Sequence, residues 1–319
     1  MIRVIFMGTP DFAVNALKAL AADENTEVVL AVTQPDKPVG RHGTLTPPDV
    51  KVCAEELGIP VFQPEKVRLP ESVEVLRSYN PDLIVVAAFG QILPQEILDM
   101  PQYGCINIHA SLLPKYRGAA PIQWAILNGD EKAGVTIMKM DIGLDTGDMI
   151  SQRWITIGRE HTGGSLFDEL AQLGAELLMD TIPTIIDGTA VYTPQDESKA
   201  TKVGMIKKSM GEIDFSEDAF AIDRKVRAFD PWPAAYTKLD GKMLKIWSAV
   251  PYKKDSFTKA KSDGTAPGEV VSATDTLVVA CGDDTVIEIE ELQLEGKKRM
   301  ISADFLRGVK IKEGDILGK

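Results

Sequence analysis

Three polar side chains of different chemistry stand at a spacing that suits acyl-type group transfer. Asn107 and His109 lie two residues apart in Cys105-Ile-Asn-Ile-His, and Asp145 follows in Gly143-Leu-Asp-Thr-Gly. An amide and an imidazole can stabilise an oxyanion, and a carboxylate can orient or charge the imidazole. The set therefore predicts chemistry at a carbonyl carbon.

Each of these side chains also has a purely structural interpretation. A lone histidine at a strand end is often a hydrogen-bonding residue, and Asp145 lies in a segment rich in turn formers. Asp148 is the competing carboxylate, and we expect it to be structural. Asn107, which shares a strand face with His109, favours the catalytic interpretation.

The surrounding sequence predicts the element that positions these residues. Residues two apart on a strand point to one face, and Pro114 stops the strand shortly after His109. Apolar, mostly β-branched runs alternate with helical patterns, which is typical of a doubly wound sheet. The predicted strands of this sheet are Val4–Met7, Val28–Val32, Leu83–Val86 and Ile106–Ile108. Ligands of such sheets bind at the carboxyl ends of the strands.

Composition limits the class of protein. A chain of 319 residues exceeds what one core usually supports, so we expect two domains. The longest apolar run, 83–93, is too short for a membrane helix of ~20 residues. Three separated cysteines cannot form an even disulfide set, which indicates a reducing compartment. We therefore expect a cytoplasmic protein.

Charge is distributed unevenly along the chain. The net charge of −12 argues against nucleic acid when taken alone. Residues 1–200 carry 15 Lys and Arg against 27 Asp and Glu, whereas residues 201–319 carry 20 of each. The carboxyl-terminal part can therefore present a local basic face.

Two kinds of bound group are disfavoured by the sequence. Only Gly8 of a dinucleotide-binding Gly-x-Gly-x-x-Gly is present after the first strand, and Pro10 removes an amide donor, which argues against a nicotinamide cofactor. The other two histidines, His42 and His161, lie in predicted loops, so we expect no metal.

The last third of the chain has a different pattern. A helix is predicted over 216–229, followed by short strands separated by Gly, Asp and Pro, the layout of a small barrel. We place a catalytic domain at residues 1–190, a linker at 191–207, and a second domain at 208–319.

Six segments spread over nearly the whole chain carry a resemblance to a known family. They are Phe6-Met-Gly-Thr-Pro-Asp-Phe-Ala, Thr33-Gln-Pro-Asp-Lys-Pro-Val-Gly-Arg41, Cys105-Ile-Asn-Ile-His-Ala-Ser-Leu-Leu-Pro114, Gly118-Ala-Ala-Pro-Ile-Gln, Arg227-Ala-Phe-Asp-Pro-Trp-Pro and Glu295-Gly-Lys-Lys-Arg-Met. In them the chain resembles the methionyl-tRNA formyltransferase family.

This resemblance implies an α/β, Rossmann-like formyltransferase domain and a small β-barrel (OB-like) carboxyl-terminal domain that docks tRNA. It implies 10-formyltetrahydrofolate as the formyl donor and the methionine amine of initiator methionyl-tRNA as the acceptor, with no metal and no membrane. We expect a monomer. The oxyanion donors would be Asn107 and His109, with Asp145 supporting the imidazole.

The resemblance also implies binding residues. The folate-binding residues would be Ser111, Leu112, Leu113, Pro114, Phe89, Gln91 and Ile92. The tRNA contacts would be Arg41, Lys207, Lys297 and Lys298. A structural loop and a solvated basic surface are the respective alternatives.

Three other functions are alternatives on the sequence alone. The chain could formylate a small amine, it could be a dinucleotide-dependent oxidoreductase, or it could bind nucleic acid without catalysis. The incomplete glycine motif argues against the oxidoreductase, and the amide, imidazole and carboxylate argue against a mere binder.

Overall fold

The computed structural model describes residues 1–39, 43–253 and 265–318. The chain divides into two compact units. The first comprises Met1–Pro121, Lys132–Thr156 and Phe167–Gly204, and the second Ile122–Glu131, Ile157–Leu166 and Met205–Lys319. The boundaries expected at residues 190 and 208 stay a prediction.

Strands and helices alternate over most of residues 1–204. The strands are β1 (Ile2–Gly8), β2 (Thr26–Val32), β3 (Lys37–Val39), β4 (Thr44–Thr46), β5 (Val61–Phe62), β6 (Leu83–Ala87), β7 (Cys105–His109), β8 (Arg117–Gly118), β9 (Lys132–Lys139), β10 (Met149–Thr156) and β11 (Lys202–Val203). The helices are α1 (Val14–Ala22), α2 (Asp49–Glu56), α3 (Pro70–Ser78), α4 (Gln95–Leu98), α5 (Pro121–Leu127) and α6 (Gly163–Ile186). The apolar runs predicted as strands lie in β1, β2, β6 and β7.

The main sheet has the order β10-β9-β7-β6-β1-β2-β5. The five strands from β5 to β7 are parallel, whereas β9 is antiparallel to β7 and β10 is antiparallel to β9. The parallel strands are buried on both faces, which is why they read as continuous apolar runs. β7 lies inside this sheet, so its carboxyl end is held by neighbours on both sides.

The 193–203 segment, which lies within the predicted linker, is paired with strands of the first unit. Thr193 pairs with Met149 of β10, and β11 pairs in parallel with β8. Asp196 caps a short turn by accepting the Ser198 backbone N–H at 3.0 Å. Because its backbone is bonded to the first unit, the segment is ordered there without any apolar periodicity of its own.

The second unit is built mainly on antiparallel strands. Its elements from residue 205 onward are α7 (Ala219–Ala228), β12 (Ala235–Leu239), β13 (Lys242–Lys253), β14 (Val270–Ala273), β15 (Leu277–Cys281), β16 (Thr285–Leu294), β17 (Met300–Ile301) and α8 (Ser302–Gly308). Their sheet order is β12-β13-β16-β15-β14, with β17 beside β16. Helix α7 begins later than predicted because the Asp218 carboxylate accepts the Ala221 N–H at 2.9 Å.

The predicted fold class is confirmed, with a Rossmann-like α/β unit and a unit of antiparallel strands. Helix α7 contributes Ile222 and Val226 to a core that contains Leu244, Ile246 and Ile287 from the strands. In the described residues no pairing joins β12 to β14, so the sheet has two open ends. No helix in the described ranges is long and apolar enough to span a bilayer.

Candidate active site

Strand β7 presents Asn107 and His109 near its carboxyl end. Asn107 is partly exposed, and within the described residues its side-chain amide makes no hydrogen bond. His109 is buried, with 6% of its surface exposed. Two residues on one strand thus offer a free amide donor and a sheltered imidazole.

The two ring nitrogens of His109 have different partners. Nε2 lies 2.9 Å from the Tyr116 carbonyl oxygen. Because a carbonyl can only accept, this contact places the proton on Nε2. Nδ1 faces the Asp145 carboxylate, with 3.7 Å between Nδ1 and Oδ2. The sequence-predicted imidazole and carboxylate therefore meet within ion-pair range.

Asp145 is held in a tight loop between β9 and β10. Its φ of +54° lies in the left-handed region, which few non-glycine residues adopt. Its Oδ2 also accepts the Gly118 backbone N–H at 2.8 Å. Gly147 is required nearby because a Cβ there would overlap the Lys139 carbonyl oxygen. The loop geometry, rather than a regular element, aims the carboxylate.

Asp148, the competing carboxylate, is placed differently. Its backbone carbonyl accepts the Lys139 N–H at 2.8 Å. Among the ion pairs of the described residues, the carboxylate of this loop that faces a histidine is that of Asp145.

The Ser111–Pro114 turn returns the chain to His109. Ser111 is buried and donates its hydroxyl to the Lys115 carbonyl at 2.6 Å. Leu113 is also buried, and its N–H donates to Thr136 Oγ1 at 3.1 Å. Leu112 and Pro114 are partly exposed. The inward side chains build the turn that brings Tyr116 to His109, whereas Leu112 and Pro114 keep part of their surface exposed.

The Phe89–Ile92 loop also combines anchored and free side chains. Phe89 is in the core, and its carbonyl accepts the Thr9 hydroxyl at 3.0 Å. The side-chain oxygen of Gln91 accepts the Val67 backbone N–H at 2.7 Å. Ile92, in contrast, is 76% exposed. Of the three residues predicted here to bind folate, Ile92 is the one whose side chain is open.

The whole chain is similar to proteins of known activity. A family model described as formyl transferase matches residues 2–182, and one described as formyl transferase, C-terminal domain, matches residues 205–310. A methionyl-tRNA formyltransferase of Citrifermentans bemidjiense is 52% identical over 318 residues, covering 99% of this chain and 96% of the relative. That of Agathobacter rectalis is 51% identical over 98% of both chains. The chain belongs to the methionyl-tRNA formyltransferase family.

A solved structure shares the fold at lower sequence identity. The N-formyltransferase from Helicobacter canadensis, solved with folinic acid and dTDP-3-aminofucose, is 20% identical with a TM-score of 0.64. The match covers 91% of this chain and 99% of that one. The full-length relatives and the family models, rather than this structure, confirm the family predicted from the sequence motifs, and the chain is a formyltransferase.

The lysines that the resemblance implies for tRNA lie on exposed surfaces. Lys207 is exposed just after the 193–203 segment, and Lys297 and Lys298 are exposed in the turn between β16 and β17. Arg41 lies outside the described residues. Their exposure leaves these lysines accessible to phosphate.

Clusters of metal-ligating side chains are absent from the described ranges. No group of three or more His, Cys, Asp or Glu side chains there is arranged to hold an ion.

Sequence reasoning missed the residues that support Asp145. Arg117, whose side chain is 2% exposed, donates to Gln195 Oε1 at 2.9 Å and to both oxygens of Glu197. Gln195 Nε2 in turn donates to the Asp145 carbonyl at 2.8 Å. The guanidinium lowers the pKa of the Glu197 carboxyl below its usual value through these hydrogen bonds. A buried arginine has no sequence signature that separates it from a surface one.

Proposed function

We propose that this chain transfers the formyl group of 10-formyltetrahydrofolate to the methionine amino group of initiator methionyl-tRNA, for translation initiation. The observation that carries the proposal is the contact of His109 Nδ1 with Asp145 Oδ2 beside an unengaged Asn107 amide, in a chain of this family. The catalytic residues are Asn107, His109 and Asp145.

Asn107 stabilises the developing oxyanion. The amine nitrogen attacks the formyl carbon, a C–N bond forms, and the carbonyl electron pair moves onto oxygen. Asn107 can donate to that oxygen without first breaking a bond within the described residues. Removing one such preorganised donor typically costs ~3 kcal/mol in the transition state.

His109 handles the proton that the attacking amine releases. It does not donate to the oxyanion as the sequence led us to expect, because the one N–H of the neutral ring is engaged by the Tyr116 carbonyl. Its Nε2–H is fixed on the Tyr116 carbonyl, so the Nδ1 lone pair is the basic position of the neutral ring. When Nδ1 takes the proton, the imidazolium faces the Asp145 carboxylate at 3.7 Å. The ion pair stabilises this charged form, and the same proton can pass to the donor nitrogen as the old C–N bond breaks.

Exposed apolar side chains of two loops, the one that carries Asp145 and the one that ends at Ile92, suit a flat heterocycle. Ile142 and Leu144, in the loop that carries Asp145, are 73% and 62% exposed, and Ile92 is equally open. Exposed large apolar residues beside a polar site favour ligand binding. Ser111, Leu112, Leu113, Pro114, Phe89 and Gln91 complete the proposed folate-binding set, the buried ones through backbone groups.

The acceptor tRNA would be held by basic residues. We assign Arg41, Lys207, Lys297 and Lys298 to phosphate or end-base contacts, because such contacts need charge at the right separation. In this proposal residues 1–190 catalyse, 208–319 dock tRNA, and the protein acts as a monomer in the cytoplasm.

One experiment tests donor, acceptor and selectivity together. The protein is incubated with 10-formyltetrahydrofolate and with methionyl-tRNA of the initiator or elongator type, and formyl-methionine is measured. We expect formylation of the initiator species and much less of the elongator. Absence of formyl-methionine from both species, or equal transfer to a free amine, would refute the proposal.

The docking role of the second domain is tested by charge reversal. The double variant Lys297→Glu, Lys298→Glu should bind tRNA more weakly. The slope of the logarithm of the binding constant against the logarithm of salt concentration should also become shallower, by about one unit for each phosphate that is no longer neutralised. The matched control reverses Lys18 and Lys66, two exposed lysines of the first unit with no proposed role. Unchanged affinity and slope in the first variant would remove this role.

A further inference from the structure

The 193–203 segment is bonded to both partners of His109. Thr201 Oγ1 accepts the Tyr116 N–H at 2.8 Å, and the Thr201 carbonyl accepts the Arg117 N–H at 2.8 Å. Arg117 lies between the two residues that fix the catalytic pair. The carbonyl of Tyr116 accepts from His109 Nε2, and the N–H of Gly118 donates to Asp145 Oδ2. A segment predicted as a linker therefore supports the catalytic geometry from behind.

Within this segment the orientation of the Gln195 amide is fixed. Its oxygen accepts from Arg117 Nε at 2.9 Å, and an arginine can only donate. The Gln195 Nε2 group must then be the one that faces the loop. It donates to the Asp145 carbonyl at 2.8 Å and to the Gly147 carbonyl at 2.7 Å. Both of its hydrogens are used on the loop that carries the catalytic carboxylate.

This loop needs external support. Asp145 has a left-handed φ of +54°, a conformation that persists only where the surroundings impose it. Arg117 provides a rigid base for Gln195, because its buried guanidinium is neutralised by Glu197. The chain of hydrogen bonds runs from Glu197 through Arg117 and Gln195 to the backbone of Asp145.

We propose that Gln195 is a positioning residue for formyl transfer, acting through Asp145, with Arg117 and Glu197 as its support. The inference rests on the proposed function. Its chemical role is to hold the carboxylate opposite His109 Nδ1 while the imidazole is charged. Its amide is engaged by Arg117, Asp145 and Gly147, so its removal should lower the rate of the chemical step and leave substrate affinity nearly unchanged.

The test uses two substitutions in the full-length protein. Gln195→Ala removes the side chain. Gln195→Glu keeps its size and its acceptor for Arg117 but lacks the N–H donors to the two carbonyls. We expect each to lower the single-turnover formylation rate roughly tenfold or more, since a misplacement of ~1 Å can cost ~10²-fold. The KM values for both substrates should stay within about twofold of wild type, as uniform binding is retained.

The control and the decisive readout separate positioning from simple stability. Gln172→Ala removes a glutamine hydrogen bond to Glu176 on the exposed face of α6, and its rate should match wild type. In an Asp145→Asn background, Gln195→Glu should lower the rate by less than about twofold further, because the residue acts through that carboxylate. A structural role would give an independent, multiplicative loss.

Three outcomes are distinguishable. An inactive wild type would refute the proposed function itself. An active wild type with unchanged Gln195→Glu activity would refute the positioning role, as would a full multiplicative loss in the Asp145→Asn background. The positioning role would be supported by a lower rate in the Gln195 variants that is absent from the Asp145→Asn background, with unchanged KM values and a wild-type rate in Gln172→Ala.

Discussion

Nδ1 of His109 lies 3.7 Å from Oδ2 of Asp145, and the opposite ring nitrogen is fixed on a backbone carbonyl. The imidazole therefore has one immobile face and one face that can take or release a proton next to a negative charge. In the proposed mechanism this asymmetry makes Nδ1 the atom that handles the proton, a point that the sequence leaves open.

Asn107→Ala tests the oxyanion donor. Because the amide makes no hydrogen bond within the described residues, its removal should leave the melting temperature unchanged while lowering kcat about 10²-fold. Steady-state formylation and thermal unfolding measure the two effects. Asn25→Ala, at an exposed turn, is the matched control. Wild-type kcat in Asn107→Ala would contradict the assignment.

Gly147→Ala tests the loop that aims Asp145. A Cβ at this buried position would overlap the Lys139 carbonyl, so the loop must shift. We expect about 1–3 kcal/mol less stability in urea unfolding, the usual range for overpacking, together with slower formyl transfer. Gly308→Ala, where a Cβ meets nothing within 4 Å, should change neither property. Equal stability and equal formylation rate in the two variants would show that the close approach of Gly147 to the Lys139 carbonyl is unimportant.

Thiol reactivity tests the burial of the cysteines. Burial raises the pKa of both Cys105 and Cys281 to about 12, and desolvation also raises that of Cys53. At pH 8 a thiol of pKa about 12 is ionised to roughly one part in 10⁴, so these two should resist Ellman's reagent in the native protein. Denatured protein should release three equivalents of thionitrobenzoate per chain at once. Rapid native labelling of Cys105 or Cys281 would contradict their placement.

Glu197→Gln tests the ion pair that supports Gln195. Hydrogen bonds from Arg117 lower the folded-state pKa of Glu197 below its ordinary value of 4.5. A depressed carboxyl pKa stabilises the fold above the unfolded-state pKa, and this contribution is lost as pH falls through the folded-state value.

The melting temperature of Glu197→Gln should therefore lie below that of wild type at pH 7, and the difference should narrow on acidification below pH 4.5. Glu24→Gln, at an exposed position, should show no difference at either pH. A difference that is constant with pH would argue against the ion pair.

The sequence predicts the elements whose burial is continuous or periodic. β1, β2, β6 and β7 are apolar at most of their central positions, and buried parallel strands need such runs. Helix α8 was not predicted, because it has only seven residues and no capping side chain.

The supporting hydrogen bonds of the site could not be predicted. The 193–203 segment is polar and aperiodic, since it is held by hydrogen bonds to β8 and β10 rather than by an apolar face. The hydrogen-bond partners of the buried Arg117 side chain come some eighty positions later in the chain. Spacing brings Asn107 and His109 together on a strand, whereas the approach of Asp145 depends on tertiary structure.

The most direct measurement is the single-turnover rate of formyl transfer to initiator methionyl-tRNA by Asp145→Asn, compared with Asp148→Asn in the same loop. The carboxamide keeps an acceptor for the Gly118 N–H but removes the charge that faces Nδ1. We predict a fall of about 10²–10³-fold for Asp145→Asn and a wild-type rate for Asp148→Asn. A wild-type rate in folded Asp145→Asn, or a reduced rate in Asp148→Asn instead, would contradict the account.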